Sequence, residues 1–354
     1  MSNFWSSMAK RAQPYVPGEQ VNDSHILKLN TNENPYPPSP NALQAMKRSA
    51  DATIRLYPSP TTDGLREVIA EQHDVTKDSV FVGNGSDEVL AFAFMAFFEP
   101  GERIRFPKIT YSFYPVYATL FDIPYEEVPL QEDFTINPED YFDAEGGVIF
   151  PNPNAPTGIF LELDAIETIV QKNPNKVVII DEAYIDFAPE SFSSRLKSYN
   201  NVLLIQTLSK SRALAGLRVG YAIGHPSLIN GLTRMKDSFN SYTIDRVAIN
   251  AATAAIKDTS YTQEITKKIV HTRSWVTKQL QELSFDVLPS QTNFVCATHA
   301  TIDAKTLYEQ LKKHSILIRH FNQDPIDSYI RITIGTREEM SRFISALTEI
   351  IRSA

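Results

Sequence analysis

Six short candidate strands, at 80–82, 103–106, 147–150, 177–181, 202–207 and 219–223, constrain this chain more than any other feature. Most are β-branched runs without in/out alternation, which predicts strands buried on both faces of a mainly parallel sheet. Helical stretches lie between most of them, as parallel crossovers require. The pattern predicts a large α/β domain over 63–245. The full length of 354 residues leaves room for a second, smaller domain.

The flanks read differently. The first 60 residues carry PYPPSP (35–40) and YPSP (57–60), so they cannot be one helix. They predict an extended arm that must lie against something to be ordered. After residue 246 a helical pattern runs to 283, followed by candidate strands at 293–297 and 329–334 with a helix between them. Thr336 and Glu339 form a capping-box pattern for the last helix. The expected division is 1–62 as an arm and part of a small domain, 63–245 as the large domain, and 246–354 as a small α+β domain. With 22 prolines against 13 glycines, fixed turns are expected rather than flexible linkers.

Several function classes are disfavoured. The 34 Lys and Arg against 42 Asp and Glu leave a net charge of −8, without a basic tract for nucleic acid. One cysteine, Cys296, permits neither an intrachain disulfide nor a Cys-cluster zinc site. The N-terminus lacks a signal-peptide core, and the longest apolar run, 89–98, is half of the ~20 residues a membrane helix needs. A cytoplasmic protein that binds neither nucleic acid nor membrane is expected, with no metal site.

Four stretches carry chemistry. In TLSKSRALAGLRVGYAIG (207–224), Lys210 follows a buried strand and is expected to leave water, and such burial lowers a lysine's pKa and makes a neutral amine available for Schiff-base chemistry. Ser209 and Arg218 beside it could hold a phosphate. In VVIIDEAYIDF (177–187), Asp181 ends a strand at the edge where open α/β sheets bind ligands, with Tyr184 in reach. A magnesium-binding role for Asp181 is the alternative, but no P-loop completes it. In FVGNGSDEVL (81–90), glycines precede Ser86 and Asp87 at a helix start suited to an anion, or Ser86 simply caps the helix. In FPNPNAPTG (150–158), prolines present Asn154 at the same sheet edge. An amine, a carboxylate, an amide, a phenol and an anion clamp together form the inventory that pyridoxal phosphate requires.

These motifs resemble the fold-type-I pyridoxal-phosphate aminotransferases along essentially the whole chain, from LNTNENPYPPSP to YIRITIGTREE. The NENP arm, YPSP and RITIGT resemble the histidinol-phosphate aminotransferase branch. The resemblance implies that Lys210 carries the cofactor and moves the proton at the substrate Cα. It implies that Asp181 pairs with the ring nitrogen, Asn154 and Tyr184 contact the ring oxygen, and Tyr111 stacks on the ring. Ser86, Asp87, Ser209 and Arg218 would hold the cofactor phosphate, joined by Tyr57 from the other subunit of a homodimer with shared active sites. Arg331, helped by Arg319 and Tyr15, would select substrates. The implied reaction is transfer of the amino group of L-histidinol phosphate to 2-oxoglutarate, giving glutamate. An aromatic-amino-acid aminotransferase and a threonine-phosphate decarboxylase use nearly the same constellation. A regulator on this scaffold would need a DNA-binding domain, for which the sequence leaves no room before the NENP arm. The cleft should be locally basic despite the net charge.

Overall fold

The computed structural model describes residues 3–353 apart from Val16, Pro17, Val21, Asn22 and Ser24. From the N-terminus the chain forms α1 (Ser7–Arg11), β1 (Leu27–Lys28), α2 (Pro40–Ser49), α3 (Asp63–Gln72), β2 (Val80–Asn84), α4 (Gly85–Phe97), β3 (Ile104–Pro107), α5 (Phe113–Phe121) and β4 (Tyr125–Val128). There follow β5 (Gly147–Pro151), α6 (Leu163–Gln171), β6 (Val178–Asp181), β7 (Val202–Thr207), β8 (Val219–Gly224), α7 (Pro226–Phe239) and α8 (Arg246–Lys257). The rest comprises α9 (Thr259–Glu282), β9 (Phe285–Val287), β10 (Phe294–His299), α10 (Ala304–Lys313), β11 (Ile316–Leu317), β12 (Arg319–His320), β13 (Ile330–Thr333) and α11 (Arg337–Ser353).

The large sheet has seven strands in the order β2-β8-β7-β6-β5-β3-β4. β8 runs antiparallel to both β2 and β7, and the other strands run one way. The absence of alternation now has a physical cause. Val178 and Ile180 face one apolar core, which also holds Val148 and Phe150, while Ile179 faces a second core with Ile149, Leu203 and Ile205. Both faces are covered by helices, so successive positions of these strands are apolar until their C-terminal ends. β4 escaped the sequence reading because its residues Tyr125, Glu126 and Glu127 are exposed at the sheet edge.

The proline-rich start is not extended throughout. Ser39 accepts a hydrogen bond from the Ala42 N–H (3.1 Å) and Pro40 occupies the first turn, so α2 begins there. α2 packs on α8, and Ala248, Ala252 and Ala255 of α8 belong to the core of the large sheet. The helical pattern after 246 is two helices, because Asp258 ends α8 and begins α9. A four-stranded antiparallel sheet, β12-β13-β10-β9, shares a further core with α9, α10 and α11. β1 pairs in parallel with β11, which brings Leu27 and Leu29 into that core. The Thr336–Glu339 capping box forms as expected, with bonds of 2.7 and 3.2 Å. Cys296 is fully buried in β10, and burial pushes its thiol up to about 12. No helix among the described residues is long and apolar enough to cross a membrane, and no His/Cys/Asp/Glu cluster among them could hold a metal.

Candidate active site

Register puts the chemistry on one edge. Pro151 at the end of β5 lies beside Asp181 at the end of β6, which lies beside Ile205 of β7. Asn84 at the end of β2 lies beside Val219 at the start of β8. Arg218, just before β8, therefore reaches this edge from the beginning of an antiparallel strand.

Two cavities open here. One, about 190 Å³, is lined by Ser86, Asp87, Asp181, Ser209, Lys210 and Arg218, among others. The second, about 230 Å³, contains Tyr15, Asn30, Arg319, Phe321 and Arg331. Thr31, Tyr111, Ala155, Tyr184 and Lys210 line both. Lys210 is half-buried rather than sealed from water, because it stands where the cavities meet. Its Nζ donates to the Thr31 carbonyl (3.3 Å) and lies 5.7 Å from the Tyr184 ring centroid. Asn34 Nδ2 donates to the Lys210 carbonyl (2.9 Å), fixing its main chain.

Asp181 is 4% exposed. It accepts hydrogen bonds from the Tyr114 hydroxyl (2.9 Å) and the Ala183 N–H (3.2 Å). Burial, opposed by these bonds, pushes its carboxyl up to about 6, and no cation among the described residues pairs with it. A buried carboxylate of this kind suits a protonated ring nitrogen.

At the other end of the cavity α4 starts at Gly85, at φ +79°, so Ser86 is the second helical residue and not the cap. The flanking Asn84 makes no side-chain cap and donates instead to the Thr243 carbonyl (2.9 Å). The first-turn N–H groups are thus left for an external acceptor. A Cβ on Gly220 would lie 2.3 Å from the Ser86 nitrogen, so only glycine lets β8 pass beneath the helix start. Arg218 holds Asp87 Oδ2 at 2.7 Å, and the Ser209 hydroxyl accepts from Thr207 (3.0 Å). The Tyr111 hydroxyl donates to Asp87 Oδ1 (2.7 Å).

Other expected residues sit less directly. Asn154 lines neither cavity. Its Nδ2 donates to the Ile109 carbonyl and Thr157 Oγ1, and its Oδ1 accepts from Thr110. Tyr57 is 79% exposed and stacks on Tyr242 at 4.7 Å, away from its own chain's cavities. Tyr15 stacks on Phe113 at 4.4 Å at the rim of the second cavity.

The second cavity has no Asp or Glu in its lining, as local basicity requires, whereas the first mixes Lys210 and Arg218 with Glu33, Asp87 and Asp181. Arg331 donates from Nη2 to the Asn30 carbonyl (2.9 Å), and its buried Nε has no partner. The Arg331 guanidinium lies 5.3 Å from the Phe294 ring and 5.6 Å from that of Phe321. Burial lowers its pKa, and it pairs with no carboxylate among the described residues. A half-buried guanidinium without a carboxylate partner, facing a cavity, calls for an anion.

Tyr114, Asn32, Asn34 and Phe321 were not singled out from sequence. Tyr114 had a legible signal, since tyrosines at 111, 114 and 117 fall three apart. Asn32 and Asn34 lie in the NENP motif, but nothing local shows what they bond, because their partners are more than 100 residues away.

The model of the family "Aminotransferase class I and II" matches residues 24–347. The histidinol-phosphate aminotransferase 1 of Oceanobacillus iheyensis is 56% identical over 352 residues, 99% of each chain. The chain belongs to the histidinol-phosphate aminotransferase family. A Clostridium botulinum histidinol-phosphate aminotransferase is 52% identical over 351 residues, again 99% of each chain. The solved histidinol-phosphate aminotransferase of Sinorhizobium meliloti, in complex with pyridoxal 5′-phosphate, superposes with a TM-score of 0.89 at 25% identity. It covers 100% of this chain and 99% of its own. The fold is that of the fold-type-I aminotransferases, and the cofactor is pyridoxal 5′-phosphate. The cavity fits it: uncapped N–H groups, Ser209 and Arg218 at one end, Lys210 in the middle and the unpaired Asp181 opposite.

Proposed function

We propose that this enzyme transfers the amino group of L-histidinol phosphate to 2-oxoglutarate. The observation that carries this reading is Arg331: a half-buried side chain, paired with no carboxylate among the described residues, in a cavity lined by no Asp or Glu. It can bind the phosphate of one substrate and a carboxylate of the other, with Arg319 and Tyr15 beside it. Bound pyridoxal phosphate supplies the electron sink that makes a carbanion at the substrate Cα accessible. Lys210 holds the cofactor and, as a free amine, moves the proton at that Cα. Asp181 keeps the ring nitrogen protonated, while Tyr184 donates to the ring oxygen. Asn154 braces the loop beside the ring, and a ring contact from it would exchange one of its present bonds. Tyr111 covers a ring face. Ser86, Asp87, Ser209 and Arg218 receive the cofactor phosphate.

The same reading makes the enzyme a homodimer whose sites share residues. Its support is a set of exposed apolar side chains, Ile54, Leu56, Tyr57, Phe239 and Tyr242. They make a surface suited to a second copy. Tyr57 of the partner subunit would then complete the phosphate site. A cytoplasmic location belongs with phosphorylated substrates, which do not cross bilayers unaided. The test is a single half-reaction on the loaded enzyme, followed by its absorbance, with histidinol phosphate, phenylalanine and threonine phosphate in parallel. Fastest bleaching by histidinol phosphate, with a keto product, is expected. Preference for phenylalanine, or release of carbon dioxide, overturns the assignment.

A further inference from the structure

Tyr184 lines both cavities, and its hydroxyl has one proton and two acceptor positions. Asn32 Nδ2 donates to it at 2.8 Å, filling one acceptor position. The phenol proton must therefore point elsewhere, and the cavities that Tyr184 lines are open to it. Which end of the Asn32 amide faces Tyr184 decides the matter, because an amide turned over would draw that proton to itself.

The structure determines the turn of the amide through Thr333. The main-chain N–H of Asn32 donates to Thr333 Oγ1 (3.0 Å), so the threonine's own proton is free to go to Asn32 Oδ1 (3.1 Å). An inverted amide would leave that proton without an acceptor in a buried place, a costly arrangement. The backbone is equally restrained. The Asn32 carbonyl accepts from Asn293 Nδ2 (3.0 Å), and the residue is 2% exposed. Its φ of 55° lies in the left-handed region that asparagine tolerates better than most residues.

We propose that Asn32, oriented by Thr333, is a positioning residue that aims the Tyr184 proton into the cleft as a donor to the cofactor ring oxygen. This rests on the reading above that Tyr184 faces that oxygen. A donor there stabilises negative charge on the oxygen, so losing it raises the pH at which the visible absorbance of the bound cofactor titrates.

The experiment measures that pH midpoint in the purified holoenzyme, with near-UV circular dichroism and cofactor content as controls on folding. Tyr184→Phe should raise the midpoint by about one pH unit. Thr333→Val and Asn32→Ala should each raise it by about half as much or more, and Thr333→Ser should restore it. Neither change should move it further in the Tyr184→Phe background, since the proton they direct is gone. Thr333→Val, which touches no ligand, carries the test if Asn32→Ala does not fold. A shift with Tyr184→Phe but none with Thr333→Val overturns the role of Asn32 alone. Shifts that persist without the phenol also overturn it. No shift with Tyr184→Phe removes the underlying reading of Tyr184, and the proposal with it.

Discussion

Arg331 and Lys210 are held by adjacent carbonyls of one segment: Arg331 Nη2 donates to Asn30 O at 2.9 Å, and Lys210 Nζ to Thr31 O at 3.3 Å. The guanidinium of β13 and the amine that follows β7 come from different sheets, yet two consecutive peptide groups hold both. Asn34, in the same segment, fastens the Lys210 main chain.

Arg331→Ala should lower kcat/KM for both substrates by about 10- to 100-fold, the loss expected for hydrogen bonds to a charged partner. Visible absorbance should stay intact, since Arg331 lines only the second cavity. Arg331→Lys should recover only part of the loss, because an ammonium cannot form the bidentate contact. Steady-state kinetics with a spectrum of each variant checks this.

Lys210→Ala should lose activity by three orders of magnitude or more, on the order expected for removing a positioned acid–base group that also holds the cofactor. Borohydride reduction followed by peptide mass mapping should attach the cofactor at Lys210 in the parent and nowhere in the variant.

Asp181 should make the cofactor-free protein less stable as pH rises. Its carboxyl ionises near 4 in the unfolded chain but at about 6 when buried, so the folded state binds the extra proton between those values. Stability due to this group is complete below about pH 4, falls as pH rises to about 6 and then stays lower, by about 2–3 kcal/mol at most. Asp181→Asn should therefore unfold at higher urea than the parent at neutral pH, and the difference should shrink towards pH 4. The same variant should bind the cofactor on the order of 100-fold more weakly. A parent and variant with parallel pH profiles would contradict the buried, unpaired carboxylate.

Tyr57→Ala and Lys210→Ala should each be impaired alone. Refolded together they should regain activity, because one site of each mixed dimer takes its lysine and its tyrosine from unmutated chains. Random pairing predicts roughly a quarter of the parent activity. Separately purified and unmixed samples set the baseline.

Where the sequence spoke clearly, the signal was local. Val177 to Asp181 are contiguous, and a β-branched run ending in an acid places that acid at a sheet edge whatever else the chain does. Ser209, Lys210 and Arg218 lie within ten residues of one another and read together for the same reason. Of the two readings of Ser86, the cap is the one that fails, because Gly85 begins the helix in a φ>0 conformation that its residue type permits but does not announce.

By itself the sequence determined the kinds of groups available and the strand ends that carry them, because hydrophobic period and turn chemistry act over a few residues. Tertiary structure alone decided which groups meet. Tyr114 reaches Asp181 across 67 positions, Asn32 reaches Tyr184 across 152, and Arg331 reaches Asn30 across 301. Hydrogen bonds of that separation follow from how two sheets and the segment between them pack, and no local pattern in the chain records them.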